Sequence, residues 1–376
     1  MDYIIAEDAV AMTGEVILVS GARPNFMKIS PICKQLEREG LDYFLVHTGQ
    51  HYDDNMSSIF FDELDIRRPD VNYGIGSGTH AGQTARIMME FEKTCLERSP
   101  KVVLVVGDVN STIACALVAS KMGIPVGHVE AGLRSWDRTM PEEINRVLTD
   151  AISDYLYTPS ADAVDNLIRE GVDPSRIENV GNVMVDTLLD NLTKIESQST
   201  WSELGLNQGS YGVLTLHRPS NVDKPSKLEE LLTAIAILSE TCPIVFPIHP
   251  RTSEKIRLAG LQWFLDKPTI VNSQPLGYLG FLSLVHGSRF VLTDSGGLQE
   301  ETTVLGVPCF TLRENTERPI TVTQGSNSLI GTEGRAIDAL IPELSSLDRG
   351  EGCQINLWDG FASMRIINHI KEHITG

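Results

Sequence analysis

Short apolar runs alternate with amphipathic stretches along almost the whole chain. VILVS closes an apolar run at 15–20, and VVLVV at 102–106 has no polar interruption. Uninterrupted runs of this length belong to parallel strands covered on both faces. Further runs at 42–47, 124–129, near Leu156 and at 177–180 predict the other strands of a first half. Helices are expected at 24–39, where Met27, Ile29, Ile32 and Leu36 form an apolar stripe, and at 52–61, 82–98, 111–122, 141–155 and 161–170. A linking helix at 182–192 and a polar loop at 196–209 precede a second series. Its strands are expected at 211–216, 244–247, 269–271, 290–293 and 308–312. Its helices are expected at 227–239, 253–259, 278–286, 298–305 and 337–341, and a last helix at 362–373 follows Trp358-Asp359-Gly360. Two runs of alternating strand and helix predict two Rossmann-like, doubly wound α/β domains. The expected division is 1–181, 182–357 and a tail at 358–376. Ligands in such sheets bind at the carboxyl ends of strands, so the site is expected in the inter-domain cleft.

The chain has 376 residues, long for one core, with 41% hydrophobic and 22% charged residues, as in ordinary globular proteins. Its net charge of −19 argues against nucleic acid or an anionic membrane as main partner. A small anionic ligand needs only a local cationic cluster. Six scattered cysteines lack any C-x-x-C pair, which fits a reducing compartment and no zinc site. No long apolar span or basic-then-apolar leader marks the chain for membrane or secretion, so a cytoplasmic protein is expected. The first 14 residues have no clear period.

The residues suggestive of chemistry fall at strand ends. RFVLTDSGGLQEE reads as a strand, a Ser295-Gly296-Gly297 turn and a helix start, whose free N–H groups favour a phosphate. A plain strand-to-helix turn has the same pattern. Asp108 and Glu130 follow neighbouring strands, and Glu142 opens the next helix. Close carboxylates raise one another's pKa, which suits proton transfer. Each also has a structural reading: Asp108 as a helix cap, Glu130 as partner of Arg134, Glu142 as capping-box partner of Thr139. Arg23 and Lys28 flank a helix start, an anion-binding position. His217 ends a strand in a polar setting, whereas His249 reads as structural. Arg318 has Glu314 or Glu317 as candidate partners, and the tryptophans read as packing.

GARP with Lys28, VVGDVNST, HVEAGLRS, MPEEINR, LTLHRPSN, FPIHPRT, LTDSGGLQEE and NTERP, in this order over 15–375, resemble the non-hydrolysing UDP-N-acetylglucosamine 2-epimerases. The resemblance implies a glycosyltransferase-B-like fold whose last helix returns to the first domain, a homodimer, and no cofactor. It assigns Asp108, Glu130, Glu142 and His217 to catalysis. Arg23, Lys28, Ser295, Gly296, Gly297, Glu301 and Arg318 match substrate contacts, with Leu276 and Phe281 at the uracil pocket. The implied reaction is reversible C2 epimerisation of UDP-N-acetylglucosamine to UDP-N-acetylmannosamine, supplying surface polysaccharides, by elimination of UDP and re-addition through 2-acetamidoglucal. Alternatives are a hydrolysing epimerase releasing N-acetylmannosamine, an epimerase of a UDP-diacetamido-uronic acid, a glycosyltransferase, and a silent UDP-sugar-binding protein. Ala22 stands where the family has Thr, Asn25 where Glu is common, and 50–53 matches a family segment of a second, activating substrate site only in part.

Overall fold

The computed structural model describes residues 16–50, 60–347, 349–350, 352 and 355–374. The leader, most of the helix expected at 52–61, the segment His51 to Asp53, Cys353 and the side chain of Arg23 lie outside the described residues.

The chain forms two all-parallel sheets. The first contains β1 (Val16–Ser20), β2 (Tyr43–His47), β3 (Val71–Asn72), β4 (Val102–Val106), β5 (Val126–Val129), β6 (Tyr155–Thr158) and β7 (Ile177–Asn179). Their order is β3-β2-β1-β4-β5-β6-β7. The second contains β8 (Gly212–Thr215), β9 (Ile244–Pro247), β10 (Ile270–Ser273), β11 (Phe290–Thr293), β12 (Cys309–Thr311) and β13 (Asn327–Leu329). Their order is β10-β9-β8-β11-β12-β13. Strand order reverses at β1/β4 in one sheet and at β8/β11 in the other. The loops there part to opposite faces and leave a crevice at each switch point. Asp108 follows β4, while His217 and the Asp294–Gly297 turn follow β8 and β11, so both crevices carry expected site residues. This is the two-Rossmann, glycosyltransferase-B-like α/β architecture.

All five residues of β1, β2 and β4 are buried, as their uninterrupted apolar patterns require. The edge strands β3 and β13 were not expected, because VN and NSL are too short and polar to carry a periodic signal. The linking helix Val183–Ser197 runs past its expected end because Ile195 continues the buried face. Its cap is Asn182, whose side chain accepts from Met184 N at 2.9 Å. A short helix, Thr200–Glu203, interrupts the loop expected at 196–209.

The last helix, Ala362–Ile374, starts on the Asp186 carboxylate, which accepts from Ala362 N at 3.1 Å and Ser363 N at 2.7 Å. An acid at a helix N-terminus satisfies free donors and opposes the dipole. Ile366, Ile367 and Ile370 then join one core with Ile29, Ile32 and Leu36 of the first helix, Arg23–Arg38. Lys371 reaches Glu39 at 2.7 Å, and His369 Nδ1 lies 3.1 Å from the Tyr157 hydroxyl. Trp358 is buried and donates to Pro159 O at 2.9 Å.

Candidate active site

Gly107 turns the chain between β4 and Asp108 with a φ of 67°, a conformation a side chain disfavours. A Cβ there would also lie 2.9 Å from Lys28 Nζ and 3.5 Å from Glu130 Oε2. The acids are therefore packed around a bare backbone. Glu130 Oε2 pairs with Lys28 from the first helix. Its Oε1 accepts from Arg318 Nη2 of the second half at 2.6 Å. Asp108 pairs with Arg146, and Asn145 donates to the Asp108 carbonyl at 2.9 Å. Asn25 Oδ1 accepts from Gly21 N at 3.0 Å and Ala22 N at 2.9 Å, while its amide donates to Val106 O at 3.3 Å. An ionised Glu has no proton for that last bond, which gives this departure from the family pattern its own use.

Three sequence readings of Asp108 and Glu130 need correction. Asp108 does not cap the helix Asn110–Lys121, whose N-cap is Val109. Arg134 is taken by Glu170 and Asp150, both at 2.7 Å, and Glu130 by Lys28 and Arg318. Nor do the two acids raise one another into the neutral range. Burial pushes both up, but Arg146 and Lys28 hold Asp108 below the usual carboxylate range, and Lys28 and Arg318 do so for Glu130. Sequence places like charges at neighbouring strand ends without revealing the cations that fold between them.

Glu142 is exposed at the first turn of the helix Pro141–Ile152, and its charge acts on Arg218 across the cleft. No capping box forms there. Met140 is the N-cap without a side-chain bond, and the Thr139 hydroxyl donates to Asp137 at 2.6 Å. The buried acid of the pair is Glu143, which accepts from Ser135 N at 2.9 Å and Trp136 N at 3.0 Å and so ties down the loop after β5.

In the second half, Asp294 is fully buried and orients His217. His217 Nδ1 lies 2.8 Å from Asp294 Oδ1, and the backbone N–H groups of His217 and Arg218 donate to the same carboxylate at 3.0 and 2.9 Å. Burial raises Asp294, yet these bonds hold its carboxyl below the usual range. With Nδ1 bound to the carboxylate, Nε2 of the half-exposed ring is left for a substrate. Ser295, Gly296 and Gly297 are partly exposed and lead into the helix Gly297–Leu305, which has no side-chain N-cap. Its first N–H groups are thus open to an anion.

Arg318 is the hub between the halves. Its Nε lies 2.9 Å from Glu300 Oε1, and its Nη1 3.6 Å from Glu317 Oε2. Glu317 is its weaker partner, and Glu314 instead accepts from Thr332 N at 3.2 Å. Arg313 holds Glu317 in a fork of two 2.8 Å bonds, and Arg218 reaches it at 3.5 Å. Lys28, Arg146, Arg218, Arg313 and Arg318 thus supply local positive charge in an acidic protein. Burial, with the neighbouring Glu300 charge, lifts Glu301 to about 8 against the lowering effect of the Tyr278 phenol. A protonated carboxyl both donates and accepts, as a sugar hydroxyl requires. Leu276 and Phe281 are half-buried against the core beside Tyr278. His249 caps the helix Pro250–Leu258 by accepting from Arg251 N at 3.2 Å, in keeping with its structural reading.

Sequence reading passed over Arg146 and Glu63. Arg146 stands four residues after Glu142, one helical turn, and spacing alone points to it. Glu63 accepts from Leu279 N at 3.3 Å, joining the first half to the helix Tyr278–Gly287, and no local signal announces such a long-range bond.

Two switch-point crevices, paired acids and the Arg318 hub between the halves define a two-sheet α/β protein of the doubly wound class. The family model for UDP-N-acetylglucosamine 2-epimerase matches residues 34–371, and the chain belongs to that family. A UDP-N-acetylglucosamine 2-epimerase of Methanocaldococcus jannaschii is 47% identical over 84% of this chain and 87% of its own length. A UDP-2,3-diacetamido-2,3-dideoxy-D-glucuronate 2-epimerase of Pseudomonas aeruginosa is 44% identical over 95% of this chain and 99% of its own. The crystal structure of the M. jannaschii UDP-GlcNAc 2-epimerase in complex with UDP-GlcNAc and UDP superposes with a TM-score of 0.89 at 42% identity, covering 95% of this chain and 99% of that one.

Proposed function

We propose that this protein interconverts UDP-N-acetylglucosamine and UDP-N-acetylmannosamine without hydrolysis. The observation that carries the reading is Glu130, held at once by Lys28 from one half and Arg318 from the other. A base takes the C2 proton, the C1–O bond breaks with its electron pair going to UDP, and 2-acetamidoglucal forms. UDP then re-adds at C1 while a proton arrives at C2 from the opposite face. Asp108, Glu130 and Glu142 are the acids assigned to these transfers. His217 and Arg23 are assigned to the leaving diphosphate, and the Gly297 helix start and Arg318 bind it where charge develops. Glu301 bonds the ribose, and Leu276 with Phe281 flank the uracil. Chromatography of the products tests the reading: an epimer still joined to UDP supports it, and free N-acetylmannosamine with UDP as the main products contradicts it.

A second reading, epimerisation of a UDP-diacetamido-glucuronate, is supported by the 44% identity to the P. aeruginosa relative over nearly all of both chains. A higher kcat/KM for that substrate than for UDP-N-acetylglucosamine would favour it.

The ion pairs also predict a pH effect. Arg318 helps hold Glu130 down in the free protein, so Glu130 is ionised well below neutrality. A bound diphosphate competes for Arg318 and adds negative charge, both of which raise Glu130. The acid limb of kcat is therefore expected at higher pH than that of kcat/KM, since kcat reports the bound state. Coincident limbs would contradict the exchange of Arg318 between Glu130 and substrate.

In this reading residues 1–181 form the acid-bearing domain and 182–357 the UDP-binding domain, with 358–376 completing the first. The assembly is a homodimer. Ile144, Val147 and Leu148 are exposed on one face of the helix Pro141–Ile152, and Met89 and Leu96 are exposed on the helix His80–Arg98. Contiguous exposed apolar residues mark interaction surfaces. Light scattering is expected to give twice the 41.3 kDa chain mass, and Leu148→Glu to give monomers. A monomeric wild type would remove this part of the proposal. Among the described residues no helix is long and apolar enough to cross a membrane, and the five described cysteines are buried and free. These features support a cytoplasmic, reducing location.

A further inference from the structure

His128 lies on β5, two residues before Glu130, with none of its surface exposed. Its Nε2 is 2.8 Å from the Gly107 carbonyl oxygen, which can only accept, so Nε2 carries a proton. Its Nδ1 is 2.6 Å from Asp150 Oδ1. The other oxygen of Asp150 accepts from Arg134 at 2.7 Å and from Gly132 N at 3.1 Å. A carboxylate taking a guanidinium and an amide N–H is ionised and acceptor-only, so Nδ1 donates as well. Arg134 is shared with Glu170, which it grips at 2.8 and 2.7 Å.

We propose that His128 is a positioning residue for the epimerisation site, donating through both ring nitrogens and bracing the Gly107 carbonyl against the fixed Asp150 carboxylate. Gly107 is the turn from which Asp108 projects, and Glu130, Lys28 and Asn25 surround it. Fixing that one carbonyl sets the spacing of the two acids. The inference rests on the reading of Asp108 and Glu130 as proton-transfer groups. Its bonding half stands independently of that reading.

Two measurements test it. In ¹H–¹⁵N spectra of protein labelled at histidine, the His128 ring is expected to show a proton on each nitrogen, as its two acceptor partners require. The resonance is assigned by its loss in His128→Gln and its shift in Asp150→Asn. A bare imine nitrogen at His128 would overturn the bonding. Kinetically, His128→Gln is expected to lower kcat about tenfold or more, because small misplacements of reacting groups cost up to about a hundredfold. UDP affinity by calorimetry is expected to stay at the wild-type value. An unchanged kcat in folded His128→Gln would overturn the positioning role, as would equal losses of kcat and UDP affinity. A wild type without epimerase activity would instead overturn the functional reading. If the Gln variant fails to fold, His128→Asn supplies the kinetic comparison and Asp150→Asn the assignment.

Discussion

Replacing Glu130 by Gln is expected to lower kcat by about 10²–10⁴-fold, the usual contribution of a general acid–base group. UDP should bind the variant at least as tightly as it binds the wild type. The amide keeps the shape of the carboxyl, but only its oxygen accepts, so one of Lys28 and Arg318 loses its bond, and the amide takes up no proton at useful pH. Its lost charge weakens the hold on Arg318, whose guanidinium is 2.6 Å from Glu130 in the free protein. Arg318 is then freer to meet a diphosphate, and affinity has no reason to fall. Stability should drop, because Lys28 and Arg318 are buried cations that lose a charged partner. Steady-state kinetics with UDP calorimetry separates the outcomes. Wild-type turnover would make Glu130 a structural latch. A parallel loss of turnover and affinity would make it a binding residue.

Gly296→Val is expected to weaken UDP binding by about 10- to 150-fold, the equivalent of one charged hydrogen bond of ~1.5–3 kcal/mol. A Cβ at Gly296 would stand 2.8 Å from Arg318 Nη1 and 3.6 Å from Glu317 Oε2. The branched side chain thus does two things: it shields the open helix start from a phosphate, and it pushes Arg318 away. The group that must yield is the Arg318 guanidinium, so some stability is lost with its ion pairs, and the loss of UDP affinity is expected to exceed it. Gly296 has a φ of −75°, so Val there meets no left-handed strain. Unchanged UDP affinity by calorimetry would remove the helix start from the binding site. A large fall in melting temperature with it would assign Gly296 to packing alone.

Much of the fold was legible because buried parallel strands are written as unbroken apolar runs. VVLVV of β4 and FVLT of β11 have no other sensible reading. The edge strands β7 and β10 were legible too, but β3 and β13 were not, since they are short and owe their pairing to a neighbour rather than to a pattern. The same divide runs through the site. Glycine-rich turns and strand-end acids are local signals, so Gly296, Asp108 and Glu130 stand out in one dimension. What the acids touch is not local. Glu130 and Arg318 are 188 residues apart in sequence, and no period or spacing links them. Charge states were misread for that reason, because two neighbouring acids suggest raised pKa values until Lys28, Arg146 and Arg318 are seen between them. Thr139 and Glu142 show the opposite error. Their spacing fits a capping box, but Pro141 starts the helix after Met140, and Thr139 turns back to Asp137.

The central claim is that a proton is removed from C2 and returned from solvent while the sugar rejoins UDP. Incubating the protein with UDP-N-acetylglucosamine in D₂O and following the sugar by ¹H NMR tests this directly. The account predicts UDP-N-acetylmannosamine with deuterium at C2, and growing deuterium in the remaining substrate as the reaction reverses. An epimer that keeps its original C2 proton, or a substrate returned unchanged, would contradict it.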